Sequence, residues 1–462
     1  MTALHFDVAV IGAGSGLEIV SQAVSRGLSV AVIEEGPFGG TCLNRGCIPS
    51  KMLIHSADVA LTIAGASQFG INARIEGVDW NKIIERASVG IDQDARNIEE
   101  ALERAPNVTV FPGSGRFRAP GELQVGDDVI HAGQFVIAAG GRPHVPEIRG
   151  LDSVPYMTSD QALRLPAQPK SLLIVGGGFI AAELAHFFGA LGTDVTLVVR
   201  AARLLRHEDD EVSERFTDIF SRRFRVLLDS NVIELGPEGD QIRARVRTGE
   251  EITDVLTDSL LFATSRVPNT DLLEVANAGV ELDDRGYVKT DEYLQTNVPG
   301  TWALGDIVGR YELKHSANLE ASYVAHNLLN PEDRLPVDYS AMPHAIFSSP
   351  QVASVGETER ELREQNRPYL VSTYPYDQAA FGANIEDHDG FFKVLADPET
   401  REILGCHVLG THASILIQEA INAMHARSGV AGITGSIYIH PAMPEIVQRA
   451  FGSLSEPHHH HA

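Results

Sequence analysis

The apolar positions first gather in Phe6-Asp7-Val8-Ala9-Val10-Ile11, a run dense enough to be a strand buried on both faces. The run breaks at Gly12-Ala13-Gly14-Ser15-Gly16, and a second one, Ser29 to Ile33, ends on Glu34. Strand, glycine turn, helix and strand in this order predict a unit that offers backbone N–H groups and a helix N-terminus to a pyrophosphate. A carboxylate about 20 residues past such a turn accepts from a ribose hydroxyl, which gives Glu34 that role. From 56 to 106 apolar residues recur at the helical period among charges. Val108 to Ile130 reads as strands, closing with Phe135-Val136-Ile137-Ala138-Ala139-Gly140-Gly141-Arg142-Pro143, a strand and turn that marks a domain boundary. Then the opening pattern returns. Ser171-Leu172-Leu173-Ile174-Val175 leads into Gly176-Gly177-Gly178, a helix runs to about Leu191, Gly192 stops it, and a strand from Thr193 to Val199 ends on Arg200. Two such units so far apart predict two nucleotide domains. Beyond about Pro336 strands and helices alternate without a glycine turn, as expected of an interface domain.

Composition narrows this picture. A chain of 462 residues exceeds one comfortable core, and two to four domains are expected. The formal net charge of −25 argues against nucleic acid and anionic membranes, and a solvated acidic surface accounts for it. No apolar run reaches the roughly 18 residues of a membrane span, and Met1 to Asp7 lacks a signal-peptide pattern. Three cysteines make no secreted disulfide framework, so a cytoplasmic protein is expected. Cys406, in the strand-like run Ile403-Leu404-Gly405-Cys406-His407-Val408, reads as inert packing. The tail Glu456-Pro457-His458-His459-His460-His461-Ala462 reads as a tag or disordered end, and no metal site is expected.

The other two cysteines sit together in Gly39-Gly40-Thr41-Cys42-Leu43-Asn44-Arg45-Gly46-Cys47-Ile48-Pro49-Ser50-Lys51. Read alone, they are a redox couple or two reduced core cysteines; their place just after a nucleotide pattern favours the couple. On a regular helix residues five apart face different sides and lie about 7.5 Å apart along the axis. A disulfide requires Cα atoms within about 4.4–6.8 Å. The backbone between Cys42 and Cys47 must therefore leave the helix, at Asn44, Arg45 or Gly46.

This stretch resembles the active-site signature of the FAD-dependent pyridine-nucleotide disulfide oxidoreductases, the family of glutathione reductase and dihydrolipoamide dehydrogenase. Gly300-Thr301-Trp302-Ala303-Leu304-Gly305-Asp306 resembles the family's second FAD motif, and Ile439-His440-Pro441-Ala442-Met443-Pro444-Glu445 its His-Pro-x-x-x-Glu signature. The resemblance spans roughly residues 5 to 455. It implies an α/β chain with two Rossmann-like nucleotide-binding domains, for FAD and NADPH, and a C-terminal α+β dimerisation domain. The expected boundaries are 1–148 and 279–334 for FAD, 149–278 for NADPH, 335–456 for the interface domain and 457–462 for the tail. It further implies a homodimer in which reduced nicotinamide gives a hydride to FAD and the flavin reduces the Cys42–Cys47 bond. Cys47 then lies against the flavin, Cys42 attacks a small-molecule disulfide, and His440, brought from the other chain and oriented by Glu445, moves the proton. Gly12, Gly14, Gly16, Glu34, Gly40, Thr41, Gly115, Asp306 and Ala317 are expected to hold FAD. Lys51 and Glu183 are expected to pair beside its ring, and Gly178, Ile180, Arg200 and Arg206 to hold the coenzyme.

Four positions depart from the family pattern: Leu17 replaces the third fingerprint glycine, Arg45 an aliphatic residue, Ala139 a threonine and Phe179 a tyrosine lid. Arg45 is expected to face either the dithiol or solvent. Arg200 stands where an NAD site has an acid, and Arg206 follows; with the turn's Ala181 this points to NADPH. The helix after Gly178, Leu204-Leu205-Arg206-His207-Glu208-Asp209-Asp210 and Leu313-Lys314-His315-Ser316-Ala317-Asn318-Leu319-Glu320 resemble the branch that reduces the disulfide of a sugar–inositol–cysteine thiol. Glu18, Ser21 and Gln22 occupy the region where glutathione reductases carry arginine, which disfavours glutathione disulfide. The competing expectations are an NAD-dependent dihydrolipoamide dehydrogenase and a flavoprotein scaffold without catalysis.

Overall fold

The computed structural model describes residues 2–457, so most of the histidine-rich tail lies outside the described residues. Strand β1 (Thr2–Ile11) carries Val8, Ala9 and Val10 fully buried, as the unbroken apolar run requires. It lies parallel between β2 (Val30–Glu34) and the strand Asp128–Ile137, with Val10 beside Val32 on one side and Val136 on the other. The strand Val108–Pro112 extends the sheet beyond β2, and Thr301–Ala303 docks parallel to the last residues of Asp128–Ile137. Burying each such valine or isoleucine contributes about 1.5–3 kcal/mol. Ile11, Glu34, Ile137 and Ala303 all end at one edge of the sheet, the carboxyl edge where open α/β sheets bind ligands.

The second unit repeats the plan with a parallel sheet ordered Arg225–Leu227, Asp194–Val198, Ser171–Val175, Ser259–Phe262 and Met157–Thr158. A three-stranded antiparallel sheet, Ser230–Glu238 to Glu251–Thr257, packs on it through Val232, Ile242 and Val255 against Leu173 and Leu260. The chain returns through a short ribbon in which Arg266–Pro268 pairs with Gly141–Pro143. Leu273, Val275 and Ala278 already sit in the core of the first sheet, ahead of the boundary expected at 279.

The C-terminal unit is a five-stranded antiparallel sheet ordered Pro343–Ile346, Gln351–Gly356, Ile403–Gly410, Phe391–Ala396 and Leu370–Pro375. One face takes the helices Ala413–His425 and Pro444–Gly452 through Val394, Cys406 and Val408. The other turns Val352, Phe391 and Leu409 toward Phe187, Phe216 and Phe220 of the second unit. No described helix is long and apolar enough to cross a membrane.

Candidate active site

Helix α1 (Leu17–Ser25) starts directly on Gly16. A Cβ on Gly16 would meet Val10 Cγ1 at 2.8 Å and the Gly12 carbonyl oxygen at 2.9 Å, so Gly16 performs the close helix–strand packing of the third fingerprint glycine. Leu17 therefore costs the turn nothing. Gly12 has φ +107°, and a side chain there would run into the Ala138 carbonyl. A Cβ on Gly40 would fall 2.7 Å from the Gly14 Cα, so the glycine turn and the cysteine-bearing helix touch backbone to backbone. Glu34 accepts from Ala13 N–H at 2.7 Å and from Gly36 N–H at 2.9 Å. A carboxylate has about four lone-pair sites, so two remain for ribose hydroxyls.

Helices α2 (Gly40–Arg45) and α3 (Cys47–Gly65) are separated by Gly46, at φ −141° and ψ −118°. The break falls within the segment expected from the cysteine spacing. Only glycine fits, because a Cβ would lie 2.9 Å from the Thr41 oxygen and 3.3 Å from the Cys42 Cα. Asn44 is not distorted; it is buried in the helix and donates to the carbonyls of Pro37, Phe38 and Gly40 at 3.1, 2.9 and 3.0 Å, pinning helix to loop. Cys42 and Cys47 are both free thiols. The Cys42 thiol gives its hydrogen bond to Cys47, which with the Lys51 ammonium pulls the solvent-exposed Cys47 down to about 6, against partial desolvation. The same bond and burial push Cys42 up, opposed by the Lys314 ammonium.

Packing of α3 on the helix Phe179–Ala190, with Leu53 and Ala57 against Ala181 and Leu184, crosses between the nucleotide units. It delivers Lys51 to Glu183, both carboxylate oxygens lying 2.8 Å from Nζ. Glu183 also accepts from Phe347 N–H at 2.9 Å, so the C-terminal unit helps hold the pair.

Gly12, Gly14, Glu34, Gly40, Thr41, Cys42, Cys47, Lys51, Gly115, Ile180, Glu183, Asp306 and Ala317 line one cavity of about 480 Å³, within the usual range for small-molecule sites. Burial raises the Asp306 carboxyl, against the Arg266 guanidinium 3.6 Å away. Glu320, buried and absent from the sequence reading, accepts from Gly305 N–H at 2.6 Å and fixes that turn. Lys314 was also passed over. It lines the cavity and donates to Ser15 on the glycine turn at 2.8 Å, which sets an ammonium at the first glycine turn. Gly140, Gly141 and Arg142, expected to form a boundary turn, line the cavity too, and Arg142 is clamped by Asp271 at 2.8 and 2.7 Å.

Arg45 is exposed, beside Gly36 and 3.8 Å from Asp160. It lines the cavity, while the cations that chiefly set the thiol acidities are Lys51 and Lys314. Phe179 lies 42% exposed at the cavity mouth, open enough to act as a lid. Gly178 and the exposed Arg200 and Arg206 stand outside the cavity, on the second glycine turn and its strand end. His440 Nδ1 meets Glu445 Oε1 at 2.9 Å, and the other oxygen accepts from Ala442 N–H at 3.1 Å. This dyad does not line the cavity, and the His440 side chain is 70% exposed. Within one chain the fold does not bring His440 to Cys42.

A strand–glycine–helix cradle and a dithiol in one cavity, with a second cradle adjoining, define a flavin- and nicotinamide-linked disulfide oxidoreductase. The chain belongs to the pyridine nucleotide-disulphide oxidoreductases: residues 6–321 match that family's model and residues 342–451 its dimerisation domain. Its cofactors are FAD and a pyridine nucleotide. Among similar proteins, mycothione reductase of Mycobacterium tuberculosis is 41% identical over 97% of this chain and 99% of its own length. The dihydrolipoyl dehydrogenase of Chlamydia muridarum is 33% identical over 98% of each chain. An HOCl-induced flavoprotein disulfide reductase of Escherichia coli superposes with TM-score 0.86 at 26% identity, covering 97% of this chain and 99% of that one.

Proposed function

We propose that the chain is a cytoplasmic, homodimeric, NADPH-dependent disulfide reductase. Its substrate is mycothione, the disulfide of a sugar–inositol–cysteine thiol, or a close analogue. The observation that carries this reading is the Cys42–Cys47 dithiol opening on a cavity shaped for a dinucleotide, with Lys51 and Glu183 paired beside it. The 41% likeness to a mycothione reductase favours that substrate. FAD, when bound, relays the two electrons of the coenzyme to the cysteine pair.

The remaining chemistry belongs to the chain. Cys42, deprotonated, attacks one sulfur of the substrate disulfide, forming a mixed disulfide and expelling the first thiolate. His440 takes the Cys42 proton and returns it to that leaving thiolate; Glu445 orients the ring and stabilises its cation. The Cys47 thiolate then attacks the Cys42 sulfur, closing the intramolecular bond and releasing the second thiolate, which takes its proton from solvent. Because His440 stands apart from Cys42 in one chain, a second copy supplies it, consistent with the dimerisation match.

The test is NADPH oxidation against a panel of mycothione, glutathione disulfide and lipoamide, with NADH in parallel. Fastest turnover with mycothione and NADPH is expected. Fastest turnover with lipoamide and NADH would replace this reading by its rival. His440→Ala should lower disulfide turnover about 10²-fold or more, the usual loss for an acid–base group, while stopped-flow oxidation of NADPH by the holoenzyme stays fast. Equal loss in both half-reactions would mean that the substitution damaged the dimer, whereas unchanged disulfide turnover would remove His440 from the proton path.

A further inference from the structure

Three consecutive acids follow the coenzyme arginines, and each is held by the C-terminal unit. Glu208 receives hydrogen bonds from Ser354 Oγ at 2.8 Å and His344 Nε2 at 2.7 Å. Asp209, fully buried, pairs at 2.8 Å with Lys393, whose ammonium also meets Glu359 at 2.7 Å and is only 3% exposed. Asp210 accepts from Arg360 at 2.6 Å and from its own unit's Arg203 at 3.1 Å. Ser354, His407, Lys393 and Thr373 stand side by side across four strands of one sheet. Thr373 closes the row by donating to Glu211 at 3.0 Å. The loop's other end is equally fixed. Leu205, at φ +50°, donates its N–H to the Gly177 carbonyl of the second glycine turn at 2.8 Å, and Leu204 N–H donates to Thr217 at 2.9 Å. Between these anchors lies Arg206, whose guanidinium bonds only its neighbour His207 among the described residues.

A buried ion pair rarely adds stability over a well-packed apolar pair, but it does fix geometry, because misplacing either charge is costly. Leucines at 209 and 393 would join the two units; they would not set the height of the loop. We propose that Lys393, acting through Asp209, is a positioning residue that holds Arg206 against the second glycine turn, so that the C-terminal unit takes part in recognising the coenzyme's 2′-phosphate. This rests on the reading of Arg206 as a 2′-phosphate partner.

The experiment measures KM and kcat with NADPH and NADH for the holoenzyme and for Arg206→Ala, Lys393→Met and the double variant. Arg206→Ala by itself tests the underlying reading: an unchanged KM for NADPH would refute that reading whatever Lys393 does. Given a rise there, Lys393→Met should raise KM for NADPH about tenfold, the size of one charge-assisted hydrogen bond, with kcat and the KM for NADH unchanged. The double variant should be no worse than Arg206→Ala. Equal KM shifts for both coenzymes, a fall in kcat with both, no shift at all, or multiplying effects in the double variant would each overturn the positioning role. Should Lys393→Met fail to fold, Asp209→Asn repeats the test under the same criteria, since asparagine keeps the cap that Asp209 gives the helix Asp210–Arg223.

Discussion

The two glycine turns share a plan and differ in what covers them. Gly12 and Gly176 both hold positive φ, and a side chain on either would strike a carbonyl of the neighbouring strand, Ala138 or Ala263. At the next fingerprint glycine they part. Gly14 lies against Gly40, roofed by the cysteine helix, whereas nothing lies within 4 Å of a Cβ built on Gly178. The strand ends differ in the same sense: Glu34 is bonded to the backbone on both oxygens, while Arg200 is exposed and makes no ion pair among the described residues. An enclosed turn with an acid already fixed suits a group that stays. An open turn with exposed cations suits one that comes and goes.

If that contrast is real, substitutions at matched positions should diverge. Gly12→Val should abolish retention of FAD, measured as flavin absorbance per purified chain, because the branched side chain has neither the backbone conformation nor the space. Gly178→Ala should leave flavin content and melting temperature unchanged, within about 0.5 kcal/mol, any change being confined to the coenzyme KM. Equal flavin loss in both would show that Gly178 is not open in the way its surroundings indicate.

The strand ends give the next effect. Arg200→Glu with Arg206→Ala should raise KM for NADPH about 10²-fold, for two charge-assisted contacts, leaving NADH use intact or improved. An unmodified enzyme that already uses NADH as well as NADPH would make the arginines ordinary surface charges. Glu34→Gln should act more gently. It keeps one acceptor and loses the other, so one backbone N–H goes unpaired and FAD binding should weaken by about 1 kcal/mol, read from the dissociation constant. A neutral result would mean that water replaces the lost acceptor.

Much of this was legible because the fold and the cofactor cradle depend on local patterns. A strand run, a glycine turn and a strand-terminal acid are each written in a few adjacent residues, and so was the helix break demanded by the cysteine spacing. Glu320 and Lys314 were missed for the opposite reason. They act across distances in sequence, on Gly305 and Ser15, and nothing near them in the chain marks a buried acceptor or a cavity-facing ammonium. The Gly140–Arg142 turn was read too blandly because its partner Asp271 comes from a distant return of the chain. Leu17 shows a motif position misleading in the other direction: Gly16, one residue early, meets the packing requirement.

The smallest expected effect concerns Arg45, and the contrast of enclosed and exposed charge decides it. Its neighbour in sequence, Cys47, sits low at about 6 chiefly through the Cys42 thiol and then the Lys51 ammonium, which is anchored by both oxygens of a buried carboxylate. Arg45 is a cation 42% exposed and 3.8 Å from Asp160, with no buried carboxylate among the described residues holding it as Glu183 holds Lys51, so solvent screens it. Arg45→Val should therefore leave the thiolate titration of the reduced enzyme where it is, whereas Lys51→Met should raise it. The sign follows from charge: a cation favours the thiolate, so removing an effective one moves the pKa upward, and the thiolate lost would appear as reduced ultraviolet absorbance just above pH 6. A rise with Arg45→Val equal to that with Lys51→Met would place the guanidinium at the sulfurs in solution. An unchanged value with Lys51→Met would instead assign the low pKa of Cys47 to its sulfur partner alone.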